Sequence, residues 1–527
     1  MWQQNYAPVA NSLGWSSLVA ALPVVALLYA IGIRRVTAWK ASLIGLLAAA
    51  LVALFGYRMP APLVVSSALY GAAFGAFPIF WVVYWAIVLY RLTVDTGKFE
   101  VLKNSIGHLT PDRTLQVLFV AFAFGAFLEG AAGFGTTVAV GAAILSGLGF
   151  SPFEAAALCL LADTAPVAFG AIGIPLVTLA ATTGLPLARL SGTVGRLCAP
   201  VSSLIPSYMV LVMGGVRGLA RVWPAALACG FSFAILQFLV SNYIGPYLTD
   251  ILSSLASVLS LIVLLRIWRP RETVRVKAEY SLAEMARAWS PYLLLVGFVL
   301  LWSFSNVNAA LSHASVTFGW PALHKRVLQV PPAVAKPIAY AAIYRLRFLA
   351  EAGTACAFAA IAAAAVSGVR PARFLRLARE SAHQLRFSFV SFTAVLGLAF
   401  VMNYSGATAT LGLTFAATGR AFPYFSAMLG WLGVFLTGSD TSSNALFGNL
   451  QQVTARHLHL DPVLMASTNS AAGVMGKMIS LQSISVAAAA AKLKAQDEPG
   501  LFRFTFKHSV LLASAVGVLA LVYAYAL

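Results

Sequence analysis

The stretch FLTGSDTSSNALF, residues 435–447, decides the fold. Its centre, Thr437 to Asn444, is small and polar apart from one glycine and carries a carboxylate and an amide, yet apolar sequence flanks it on both sides. Of the 527 residues 60% are hydrophobic and 10% charged, with a mean hydropathy of +0.86, whereas an ordinary soluble domain carries about 25% charged residues. Apolar runs of about 20 residues, enough for a helix to cross roughly 30 Å of hydrocarbon, recur along the whole chain with short loops between them. The chain therefore reads as an all-α polytopic membrane protein, one domain over residues 1–527, with about 12 to 14 transmembrane helices or half-helices. At membrane depth, irregular polar backbone is tolerated only where protein or a water-filled cavity surrounds it. The patch is accordingly expected at the tip of a re-entrant hairpin, its N–H groups and hydroxyls facing a cavity.

A net charge of +19 suggests nucleic acid in a soluble protein, so the positions of the 35 Lys and Arg residues matter. They cluster between apolar runs: Arg34, Arg35 and Lys40; Arg91, Lys98, Lys103 and Arg113; Arg217 and Arg221; Arg266, Arg269, Arg271, Arg275 and Lys277; Arg370, Arg373, Arg376 and Arg379. Read as cytoplasmic loops, with the N-terminus outside, they satisfy the positive-inside bias and make nucleic-acid binding unnecessary. The first apolar run, Leu13 to Ile33, follows a segment without Lys or Arg and is expected to be an uncleaved first helix. Cys159, Cys198, Cys229 and Cys356 stand singly in apolar sequence, without metal-ligand spacing, and read as core residues.

A second region breaks the membrane pattern in the same way. FLEGAAGFG, residues 127–135, leads through Pro152 into ADTAPVAFG, residues 162–170; FLTGSD, residues 435–440, leads through Pro462 into STNSAAGVMG, residues 467–476. Phe127, Leu128 and Gly130 fall opposite Phe435, Leu436 and Gly438, and Asp163 and Gly170 opposite Asn469 and Gly476, all roughly 310 residues apart. The loop assignment brings the first region (residues 115–216) in from the cytoplasm and the second (residues 422–490) from outside. Two inverted repeats with re-entrant hairpins are the arrangement in which secondary transporters place their substrate sites near the midplane. Close helix packing also explains small residues, and it competes for GAAGFG (130–135) and AAAAVSG (362–368). GAAGFG lacks the following Lys and flanking strand of a phosphate loop.

Five ionisable residues stand within apolar runs: Glu129, Asp163, Glu351, Asp440 and Lys477. Such residues are functional candidates by default. Lys477 suits a substrate carboxylate, together with hairpin amides at Gly133 and Gly135; Ser442, Ser443, Asn444 and Asn469 suit a hydroxyl. Glu129, Asp163 and Asp440 are the candidates for a coupling proton. A structural ion pair of Lys477 with Asp440 is the competing reading, and Glu351 has Arg345 and Arg347 close by. None of the seven histidines is read within a helix interior: His383 is placed in a basic loop, His457 and His459 near the end of the second hairpin, His508 at the start of the last helix. No metal site and no cofactor are expected. An intramembrane hydrolase using Ser439, Ser442 or Ser443 would need a base in reach, and none stands at a helical spacing in that segment, so the chain is read as no enzyme.

These residues resemble the lactate permease family of bacterial 2-hydroxy-monocarboxylate transporters over essentially the whole chain. The resemblance rests on WQQNYAP (2–8), FLEGAAGFG (127–135), DTAPVAFGAIGIP (163–175), SNYIGP (241–246), NYSG (403–406), GWLGVFLTGSDTSSNALF (430–447), GVMGKMIS (473–480) and FRFTFKHS (502–509). It implies proton-coupled uptake of L-lactate, with D-lactate and glycolate as further substrates, through a bacterial inner membrane. The alternative is a sodium-coupled carrier of another small carboxylate. The family also looks like a member of the ion-transporter superfamily, in which two inverted hairpin repeats form a moving transport domain. The lipid bilayer and a small carboxylate are the partners this implies, with homo-oligomerisation left open. The chain departs from the family pattern at Thr137 and Leu481, where proline is usual, at Asp163, where asparagine is usual, and at Arg347, where an acid is usual while Glu351 stands one turn later.

Overall fold

The computed structural model describes residues 1–34, 36–107, 110–133, 136–268, 281–334 and 336–526. Arg35, Gly135 and the basic stretch from Arg269 to Lys277 lie outside these. Among the described residues, ten helices are long and apolar enough to cross a membrane, eleven if the bent pair at residues 152–183 counts as one span.

In chain order come α1 (Leu13–Gly32), α2 (Ala38–Leu51), α3 (Ala61–Phe74) and α4 (Trp81–Asp95). Next comes α5 (Arg113–Ala131), turning at Ala132 and Gly133 towards α6 (Thr136–Gly147), and then α7 (Pro152–Ala162) and α8 (Gly170–Thr183). Asp112 starts α5 by accepting from the Thr114 and Leu115 amides; a reciprocal Ser151–Glu154 box with Pro152 in the first turn starts α7. The 57-residue α9 (Leu187–Tyr243) doubles back near Gly215, so that Ser191 Oγ donates to the Ser241 carbonyl at 2.8 Å and its two halves make separate passes. α10 (Thr249–Ile267), α11 (Leu282–Ser303), α12 (Ala352–Val366) and α13 (Pro371–Ser405) follow, then α14 (Ala407–Phe415).

The second broken region comprises α15 (Phe422–Thr437), α16 (Asp440–His457), α17 (Pro462–Lys477) and α18 (Leu481–Ala491), before the closing α19 (Glu498–Tyr525). Gly438, at φ 71°, ends α15 in the left-handed conformation that glycine adopts without steric cost, and the Ser439 hydroxyl caps α16 through the Ser442 amide. α15 and α17 run in backbone contact: a Cβ on Gly430 would lie 2.2 Å from the Asn469 carbonyl oxygen, and one on Gly476 2.3 Å from that of Trp431.

The two regions exchange their last helices. α18 packs on α6 and α8 packs on α16. They also enter from opposite ends of α19: Phe153, at the start of α7, packs its ring on Phe504 with centroids 5.7 Å apart, whereas the Arg420 carbonyl before α15 accepts from Tyr525 Oη at 3.1 Å. The 21 steps from residue 504 to residue 525 span roughly 32 Å at 1.5 Å per step, about the thickness of the hydrocarbon core.

Several details differ from the sequence reading. The chain is not purely helical: Trp2–Gln3 (β1) pairs in parallel with Val327–Gln329 (β3), which pairs antiparallel with Ile338–Ala339 (β4), and Val316–Gly319 (β2) pairs with Ile343–Leu346 (β5). Strands of two to four residues are too short for an alternating pattern to register. Arg373, Arg376, Arg379 and His383 belong to the first half of α13 rather than a loop, and Arg217 and Arg221 to the bend of α9. His508 lies within α19, where its Nδ1 meets Tyr208 Oη at 2.5 Å. The four cysteines are free and buried.

Candidate functional site

The hairpin turn after α5, the break between α7 and α8, the α15–α16 turn and the break between α17 and α18 come together around one ammonium. Lys477 Nζ, at the end of α17, donates to Glu129 Oε1 at 2.7 Å and stands 3.1 Å from Asp163 Oδ2. Glu129 comes from the tip of the first hairpin and Asp163 from the end of α7, so the second region supplies the cation and the first both anions. Thr137 Oγ1 donates to Glu129 Oε2 at 2.8 Å, occupying the carboxylate's other oxygen. Asp163 Oδ1 has no hydrogen-bond partner among the described residues. All three charged residues are buried, at 2 to 7% exposure, where an unpaired charge would be costly.

The competing reading, Lys477 paired with Asp440, is not what the fold makes. Asp440 Oδ2 accepts from Ser470 Oγ at 2.5 Å and Asn444 Nδ2 at 3.2 Å, both from residues 422–490, and Oδ1 has no partner among the described residues. Glu351 occupies the residue before α12 and makes no ion pair among the described residues; Arg347 instead bonds Asn308 Oδ1 at 2.6 Å and Ser312 Oγ at 3.1 Å.

Beside the triad lies a cavity of about 100 Å³, lined by Glu129, Gly170, Ala171, Ile174, Pro175, Gly438, Ser439, Asp440, Thr441, Lys477, Gln482 and Ser483 among others. Ala171 and Ile172 hold φ of 46° and 58°, a left-handed turn that a β-branched residue adopts only under constraint and that brings the chain against Gly133. A Cβ at Gly133 would lie 2.7 Å from that of Ala171.

The residues expected to meet a substrate hydroxyl are placed differently. Asn444 and Asn469 bond each other at 2.9 Å; Asn444 Nδ2 also reaches the Pro175 carbonyl at 3.1 Å, Asn469 Oδ1 accepts from Gln451 Nε2 at 3.1 Å, and Ser443 Oγ donates to the Gly430 carbonyl at 3.2 Å. Ser443, Asn444 and Asn469 are fully buried. Neither they nor Ser442 line the cavity, where Ser439, Thr441, Gln482 and Ser483 offer their polar groups instead. Sequence reasoning missed Asp250 on α10, buried beside the first hairpin tip; its one signal was its place four residues after the SNYIGP motif.

A family model described as L-lactate permease matches residues 16–527. The glycolate permease of Escherichia coli (strain K12) is 42% identical over 551 residues, covering 99% of this chain and 98% of that protein. The L-lactate permease of Bacillus subtilis (strain 168) is 42% identical over 554 residues, covering 98% and 97%, and that of Escherichia coli (strain K12) 41% identical over 546 residues, covering 100% and 99%. The chain belongs to the L-lactate permease family. It is a multi-pass protein of the bacterial inner membrane. Two departures from the family pattern, Thr137 and Asp163, meet at the Glu129–Lys477 pair, one as a hydrogen bond and the other as a second carboxylate on the ammonium. Leu481 is 44% exposed at the start of α18, and Arg347 lies away from the cavity.

Proposed function

We propose that this permease takes up L-lactate and related 2-hydroxy monocarboxylates, D-lactate and glycolate, together with a proton. Full-length similarity to proteins named for L-lactate and glycolate supports the substrate class. The observation that carries the coupling is Lys477 held by Glu129 and Asp163. Two carboxylates around one ammonium already leave a surplus negative charge in a buried site. A substrate carboxylate adds another, and it gains a place on Lys477 only if one resident carboxylate gives way. A proton taken up with the anion into this group of buried carboxyls offsets the added charge, so the pair crosses without net charge. Thr441, Ser439, Gln482 and Ser483, on the cavity wall, would serve the 2-hydroxyl.

The regions 115–216 and 422–490 would move as one body against α1–α4 and α11–α13, exposing the cavity to alternate sides. Leu481, Gln482, Ser485 and Ala489 of α18 are exposed while α16 is buried almost throughout, so this arrangement favours access along α18, from the basic end of the molecule. A sodium-coupled carrier of another small carboxylate is the second reading; the partnerless oxygens Asp163 Oδ1 and Asp440 Oδ1 favour it. Uptake of labelled L-lactate into proteoliposomes separates the two. Accumulation under a pH gradient without sodium, competed by glycolate, is the expected result. Uptake that needs a sodium gradient, or that appears only with succinate, would overturn it.

A further inference from the structure

The mechanism above leaves one buried carboxyl without a task. Asp250, in the first turn of α10, is 1% exposed, and neither of its oxygens has a hydrogen-bond partner among the described residues. Glu129 and Asp163, by contrast, lie against Lys477, and Asp440 accepts from Ser470 and Asn444. Burying an ionised carboxylate without partners is far more costly than burying the neutral acid.

The first hairpin tip packs directly on Asp250. Gly130, the residue after Glu129, packs so closely that a Cβ on it would lie 2.7 Å from Asp250 Cβ and 3.1 Å from the Ile251 nitrogen. The charged groups facing Asp250 are Glu129 of α5, Asp163 after α7 and Lys477 of α17. From α9, Cys198 lies within electrostatic reach of both Asp250 and Asp440, and the Cys229 carbonyl accepts from Ser257 of α10 at 2.7 Å. Tyr247, in the turn before α10, faces Glu351 and Arg347, and α8 has no titratable side chain.

We infer that Asp250 is a coupling-proton site: its carboxyl holds a proton while the Glu129–Gly130 tip is packed over it, and gives that proton to water when the tip withdraws. The tip would therefore open to solvent in step with loss of the proton. One O–H bond breaks on Asp250, one forms on water, and the carboxylate left behind is stabilised by hydration until the tip returns. This rests on the proton-symport reading above and names a residue for it.

The test uses the full chain in proteoliposomes, as wild type, Asp250→Asn and Asp250→Glu. Exchange of external labelled for internal unlabelled L-lactate at equal pH needs substrate binding and hairpin movement but no net proton transfer. Uptake under an imposed pH gradient, with an internal pH dye, needs the proton. Asp250→Asn is expected to exchange within about threefold of wild type while losing about tenfold or more of gradient-driven uptake and acidification. Asp250→Glu should keep both activities. Wild-type gradient-driven uptake and acidification in Asp250→Asn would overturn the inference, as would loss of exchange in both variants when each elutes as a single folded species. Should Asp250→Asn not fold, Asp250→Glu decides: an uptake profile displaced along the pH axis supports the site, and an unchanged one overturns it. A wild type that exchanges no lactate would instead sink the substrate reading, and the same arms would then be run with whichever of glycolate, pyruvate or succinate it does exchange.

Discussion

The two hairpin tips hold their carboxylates in opposite ways. Asp440, in the second, accepts from Ser470 and Asn444 of its own region through one oxygen, Oδ2, and Asn444 and Asn469 bond each other, so α15, α16 and α17 form a unit tied by short-range polar contacts and by glycine-lined backbone contact. Glu129, in the first, reaches across to Lys477 of the other repeat. Moving the first tip away from the second region would break this ion pair, whereas the contacts of Asp440 with Ser470 and Asn444 would travel with α15–α17.

The largest expected effect follows from removing the shared cation. Lys477→Met leaves Glu129 and Asp163 buried without a counter-charge and should abolish gradient-driven uptake while lowering stability by about 3–5 kcal/mol, read from thermal unfolding in detergent. Adding Glu129→Gln should restore part of that stability; strict additivity of the two would break the contrast, because it would mean the pair is not coupled. Next comes the second tip: Ser470→Ala removes the 2.5 Å bond to Asp440 and should cost about 1.5–3 kcal/mol, with a smaller loss of uptake than Lys477→Met. If the two variants lose uptake equally, the tips are not different in kind. Gly430→Ala, whose new Cβ would meet the Asn469 carbonyl, should destabilise by about 1–3 kcal/mol in the same unfolding assay, and an unchanged midpoint would argue against rigid α15–α17 contact. The smallest effect is Ser442→Ala. Its side chain lies off the cavity, so stability within about 0.5 kcal/mol of wild type and retained lactate uptake are expected. Lost uptake there would return the hydroxyl-binding role to the second hairpin's own serines.

Much of the site was legible. Glu129, Asp163, Asp440 and Lys477 are conspicuous because charge is rare in apolar sequence, and the glycines and Pro152 and Pro462 mark where helices must break. Their pairing was not legible. Lys477 and Asp440 lie in one region and look like natural partners, but Asn444 one turn on and Ser470 of α17 bond Asp440 Oδ2, while Lys477 reaches Glu129, 348 residues away. Ser443, Asn444 and Asn469 read as ligands because they are polar at membrane depth; packing turned them towards one another. Asp250 escaped notice because an acid shortly after SNYIGP resembles the polar first turn of a helix, and only burial beneath Gly130 makes it unusual.

By itself the sequence determined the all-helical membrane character, the two places where spanning helices break, and the identity of the ionisable groups at depth. Hydrophobic length, helix-breaking residues and the cost of charge in hydrocarbon are local properties that a linear chain displays. The tertiary structure decided which carboxylates share Lys477, which hydroxyls reach the cavity and which acid is sealed from water. Those outcomes depend on the crossing of α7, α8, α17 and α18 with the two hairpin tips, contacts over hundreds of residues that follow from how the helices pack together.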